Sequence, residues 1–186
     1  MSLTLPEVLR DHGIDVTEEE LAQATEAGFG WVLTAPGTTA LPTDEAALLD
    51  AAGLPDQPDA YARTAATATG AYAALVSTAL TVSEAATLLG VTEGRVRHRI
   101  ARRDLHALPS GRKRLPRWQF TDDGVLPGLP AVLHSLAQDE HPLATLAFMT
   151  TRQPELDLSD GPVSPEQWLR AGGDPAPVAA LAAARP

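Results

Sequence analysis

The segment Ser83–Ile100, SEAATLLGVTEGRVRHRI, constrains this chain more than any other stretch. Two short helical patterns flank a glycine. Ser83 suits the cap of the first, with Glu84 in its first turn. Ala85, Ala86, Leu88 and Leu89 supply its apolar face. Gly90 ends it, because glycine takes the positive φ of a tight corner without strain. Val91 plugs that corner. Thr92 caps the second pattern, Glu93 follows, and Val96 and Ile100 face inward at i and i+4. The spacing predicts two helices meeting at a short turn.

Charge gives the second helix a role. Nine of the chain's 14 Lys and Arg residues lie between Arg95 and Arg117, interrupted by one acid, Asp104. The whole chain carries a formal net charge of -10, and 12 of its 24 acids fall in residues 1–60 against a single Arg. A local cationic face in an acidic chain points to nucleic acid. Arg offers bidentate donors to guanine edges or phosphates. Thr92, Arg95 and Arg99 are the expected groove contacts, with Arg97, His98, Arg102 and Arg103 nearer the DNA backbone.

A cationic hairpin is expected next. Leu105 and Ala107–Leu108 read as an extended piece, 109–111 as a turn, and Leu115 to Phe120 as the returning piece. Arg112, Lys113, Arg114 and Arg117 make it a wing for backbone or minor groove. Trp118 and Phe120 are expected to pack it onto the helices. The expected architecture is mainly α, with a central winged helix-turn-helix and a small two-stranded wing.

The stretch LTVSEAATLLGVTEGRVRHRI with GRKRLPRWQF resembles the helix-turn-helix of excisionase-like and MerR-like proteins. That resemblance covers about 40 residues and implies binding of double-stranded DNA. A further resemblance lies in DLSDGPVSPEQWLRAGGD and the short apolar tail after it. It is similar to the toxin-binding domain of the Xre/MbcA/ParS antitoxin family. The family implies a RES-type toxin partner that consumes NAD, and repression of the shared promoter. Trp168, Leu169, Val178 and Leu181 are the implied partner-binding residues. Ser164, Pro165 and Gln167 have the spacing of a capped helix start, and Gly172–Gly173 of its end.

The flanking sections are expected to be helical. Residues 1–79 form an N-terminal section for dimerisation, residues 80–120 the DNA module, and residues 125–186 the partner domain. Leu5, Val8 and Leu9 give one apolar face. Thr17 and Glu20 have capping-box spacing, a turn is expected at 35–39, and a helix runs from Thr43 through Leu49. A long helix over 59–79 carries Tyr61, Ala65, Ala68, Tyr72, Leu75, Val76 and Ala79 at helical spacing. Two recognition helices read more sequence than one, so a homodimer is expected.

Other function classes find little support. There is no cysteine, which removes thiolate chemistry and Cys-based zinc sites. No secretory signal and no membrane span are read, so the chain is expected in the cytoplasm. His98 and His106 sit among arginines; His134 and His141 flank Asp139 and Glu140 as solvent-facing residues. HExxH, Walker A and GxSxG are absent, so no catalytic residue, metal or cofactor is expected. The competing readings are arginines that merely face solvent, RNA binding, a protein-binding adaptor, and a regulator without a toxin partner.

Overall fold

The computed structural model describes residues 7, 10, 16–34, 51, 58–109, 112–159 and 161–185. The chain divides into two compact units, residues 1–74 and 75–186. The described part is mainly helical, with minor strand content in three two-stranded sheets.

In the first unit, α1 (Glu18–Thr34) starts at the expected capping box. Thr17 Oγ1 accepts from the Glu20 backbone N–H at 3.2 Å, and the Glu20 carboxylate accepts from the Thr17 N–H at 3.0 Å. Three glutamates sit in its first turn, at the positive end of the helix dipole. Helix α2 (Pro58–Thr78) covers the expected long helix. Ala65, Ala68 and Tyr72 are buried, as are Leu75, Val76 and Ala79 in the second unit, so the face read at helical spacing is the buried one from Ala65 onward; the Tyr61 side chain lies outside what is described. Expectations for Leu5, Val8, Leu9, the turn at 35–39 and the helix from Thr43 lie outside the described residues.

After the end of α2, the second unit continues with β1 (Leu80–Thr81), α3 (Val82–Leu88) and α4 (Glu93–Ala101). The cap of α3 is Thr81, not Ser83. Thr81 Oγ1 accepts from the Glu84 N–H, and the Glu84 carboxylate accepts from the Thr81 N–H at 2.7 Å. Gly90 takes φ 62° at the corner, Thr92 caps α4 as read, and Val96 is fully buried.

The segment after α4 is built differently from the expected hairpin. Strand β2 (Arg114–Leu115) pairs antiparallel with β1, setting Leu80 against Leu115, rather than with 105–108. In place of a strand ladder, Leu108 N donates to Arg114 O at 2.8 Å and the Gln119 side chain bonds the His106 backbone. Arg117–Gln119 form a 3-10 turn, not a strand. A separate hairpin then joins β3 (Phe120–Thr121) to β4 (Gly124–Val125), with Asp122 and Asp123 at its tip. Pro116 explains part of this: it has no N–H to give a ladder. Trp118 and Phe120 are buried, as expected.

Four helices and one more hairpin complete the unit together with α3 and α4: α5 (Leu129–Ser135), α6 (Pro142–Thr150), β5 (Gln153–Leu158), β6 (Gly161–Val163), α7 (Pro165–Arg170) and α8 (Pro175–Ala183). Helix α8 packs on α5, α6 on α7, and α7 on β5. Ser164 and Gln167 form the capping box that starts α7. The Arg170 guanidinium donates to Phe120 O at 2.9 Å and pairs with Glu166 at 2.8 Å, tying α7 to the end of the basic segment. The expected DNA module and partner domain thus lie in one compact unit. No helix among the described residues is long and apolar enough to cross a membrane.

Candidate nucleic-acid interface

Helix α4 has two unlike sides. Val96 is fully buried and Ile100 half-buried, while Gly94, Arg95, Arg97, His98, Ala101 and Arg102 are exposed. At 100° per residue, Gly94, His98 and Ala101 form one strip opposite Val96. Arg95 and Arg102 flank this strip on one side and Arg97 on the other. The outer face carries Gly94 and Ala101 at the two ends of its centre with the His98 imidazole between them, and is cationic along its margins. Thr92, Gly94, Arg95, His98, Arg99, Arg102 and Asp104 line a shallow depression of about 570 Å³.

Local acids hold some of these cations. Arg97 pairs with Glu93 at 2.6 Å across one helical turn, and Arg102 Nε lies 3.3 Å from Asp104. Both guanidinium groups are largely exposed, although Asp104 is mostly covered, so water and salt screen the pairs and phosphate can compete. Arg95 and Lys113 are exposed, as are Arg112 and Arg117; Arg99 is half-buried. Lys113 also lines a second cavity, of about 580 Å³, with Ile100 and Ala101 at the end of α4.

Arg103 and Arg114 are engaged within the fold, unlike the exposed members of the expected DNA-contact set. Arg103 sits at φ 60°, just past the end of α4. Its guanidinium donates to the carbonyls of Leu133 and Leu136, each at 2.8 Å. Those carbonyls end α5 and have no partner within their own helix. The Arg103 cation is therefore spent on capping. Arg114 is buried in the β1–β2 pair. The Thr81 N–H and hydroxyl hold the Glu84 carboxyl below its usual range, and the Arg114 charge adds to this.

His106 is a largely buried histidine beside the cationic segment. Its backbone is clamped by Gln119, its ring lies 6.3 Å from the Trp118 ring at 32°, and its Nε2 is buried without a hydrogen bond. Burial, and then the Arg103 charge, push its pKa down to about 4. At neutral pH it is uncharged and adds nothing to a phosphate site.

The residues of the expected partner-binding set are placed unevenly. Leu169 and Val178 are fully buried, because α7 and α8 turn these side chains into the core. Trp168 and Leu181 are half-buried. Trp168 Nε1 donates to Asp174 O at 2.8 Å, and its indole lies flush against Gly173. Among the described residues no group of three or more His, Cys, Asp or Glu side chains could hold a metal ion.

Thr81 is the residue that sequence reading missed. Its spacing to Glu84 equals that of Thr17 to Glu20 and Ser164 to Gln167, so the signal was present. No protein-family profile, curated protein or solved structure matches this chain.

Proposed function

We propose that residues 80–120 form a helix-turn-helix module that reads double-stranded DNA, and that the protein is a non-enzymatic transcriptional regulator. The observation that carries this reading is the outer face of α4. Its exposed strip of Gly94, His98 and Ala101 lies between Arg95 and Arg102 on one side and Arg97 on the other. A helix with two small residues and one imidazole along its centre and arginines on its margins suits a major groove bordered by phosphates. Arg112, Lys113 and Arg117 extend the cationic surface into the following segment. The protein acts as a homodimer in the cytoplasm, since paired half-sites multiply the specificity of a single helix.

The finer reading is an antitoxin that neutralises a RES-type toxin and represses its own operon. It rests on the resemblance of SPEQWLRAGGD, supported by the capped start of α7 and the Trp168–Asp174 closure. The interior position of Leu169 and Val178 favours a second reading, a DNA-binding regulator without a toxin partner.

Titration of the purified protein against its own upstream promoter duplex at several salt concentrations tests the first proposal. Binding that weakens as salt rises is expected. No binding at low salt overturns it. Co-purification with the product of the neighbouring gene separates the antitoxin reading from the regulator without a toxin.

A further inference from the structure

Gly94 stands in the first turn of α4, where the fold has no need of a glycine. It is not among the glycines with positive φ. A Cβ built there meets only Thr92 Oγ1, at 3.9 Å, which is ordinary contact. The position is exposed, two residues from buried Val96 and on the opposite side of the helix. Glycine is the poorest helix former apart from proline, and α4 has only nine residues over which to recover that loss. Other glycines of this unit have a structural reason: Gly90 turns a corner at φ 62°, and a side chain at Gly173 would overlap Trp168.

An unfavourable residue that nothing inside the fold requires points outward. Gly94 heads the outward strip that continues through His98 and Ala101, and shares the shallow depression with Thr92, Arg95 and Arg99. Backbone without a side chain permits close approach by another molecule. The arginines beside it select an electronegative surface. The floor of a major groove, presenting acceptor atoms on base edges between two rows of phosphate, has both properties.

We infer that Gly94 is where α4 comes closest to bound DNA, and that its missing side chain is a specificity-determining gap seating the first helical turn against base edges. This rests on the DNA-reading proposal above. A methyl at this point holds the helix off the groove floor. It leaves the long arginines free to reach phosphates. Sequence-specific affinity then falls while non-specific affinity stays.

The test compares the native protein with Gly94→Ala on two probes: a duplex selected by the native protein from a random-sequence pool, and unselected random duplex of equal length. Thermal unfolding is measured beside binding. The expected result for Gly94→Ala is a Tm unchanged or raised by about 1–3 °C. Affinity for the selected duplex should fall about tenfold, with binding to random duplex unchanged. Full affinity for the selected duplex overturns the inference and leaves the DNA-reading proposal standing. A lowered Tm also overturns it, because the fold itself would then require the glycine. An equal fall on both probes overturns the specificity role. If the native protein binds neither probe at low salt, the DNA-reading proposal fails and the inference with it.

Discussion

Gln119 clamps the backbone of His106 with both ends of its amide. Oε1 accepts from the His106 N–H at 2.9 Å, and Nε2 donates to the His106 carbonyl at 2.8 Å. Gln119 is completely buried, so a side chain here replaces one rung of a β-ladder. The loop after α4 is thereby fixed to the 3-10 turn at Arg117–Gln119. Gln119→Ala leaves a buried donor and acceptor without partners. A loss of about 2–4 kcal/mol is expected in urea unfolding. A loss below about 0.5 kcal/mol would show that water takes over both bonds.

Arg103 combines a backbone cost with a side-chain gain. A non-glycine residue at φ 60° costs roughly 1 kcal/mol, offset by the bonds to Leu133 and Leu136. Arg103→Ala keeps the cost and loses the bonds; Arg103→Gly loses both. The Arg103→Gly variant should therefore be the more stable of the two by about 1 kcal/mol, and both less stable than the native protein. Equal stabilities would show that the backbone at 103 is unstrained.

His106 gives stability a pH dependence of known sign. In the unfolded chain its imidazole takes a proton near pH 6.5; in the folded chain it does so only near 4. Between these values the unfolded state binds more protons. Its contribution is therefore fully present above the unfolded pKa and is lost as pH falls through the folded one. The shift corresponds to a differential of order ~3 kcal/mol. His106→Gln should flatten the Tm profile between pH 6.5 and 4 relative to the native protein. An unchanged difference between the two proteins across that range refutes the assignment.

Most local signals in this sequence were legible, the Thr81 cap excepted, and pairings at a distance were not. Thr17, Thr92 and Ser164 each cap a helix as spacing predicts, because a cap needs only residues within one turn. Gly90 was legible for the same reason. The β1–β2 pair was not, since Leu80 and Leu115 meet across the whole of α3 and α4 and two-residue strands carry no periodicity. The cationic run was visible as charge. That Arg103 serves α5, and Arg114 lies buried, depends on carbonyls and packing that charge counting cannot see. Leu169 and Val178 show the converse: an apolar residue near a terminus reads as interface until a core claims it.

Gly173 and Trp168 give a stability prediction for the C-terminal helices. The indole rests on the bare glycine backbone and reaches past it to Asp174 O. Gly173→Ala pushes the ring away and breaks that bond. A loss of about 1–3 kcal/mol is expected, with a red-shifted tryptophan emission as the ring meets water. Native stability with an unchanged spectrum would show that the backbone moves aside without cost.

Glu93 restrains Arg97, so under the proposed DNA-reading role this acid acts as a brake. The pair is 2.6 Å apart, with side chains 62% and 45% exposed. The pair should therefore contribute little to stability, about 0.3–0.5 kcal/mol. A phosphate would have to displace the carboxylate to recruit Arg97, and Glu93 itself repels the duplex. Glu93→Gln keeps the size of the side chain and removes its charge. Affinity for duplex DNA should rise several-fold, and the plot of log affinity against log salt should steepen by about one unit if Arg97 then reaches a phosphate. Arg95→Ala should act in the opposite direction and weaken binding. Should Glu93→Gln bind DNA no better than the native protein while Arg95→Ala binds worse, Arg97 lies off the DNA-contacting surface and the reading face narrows to the Arg95 side of α4.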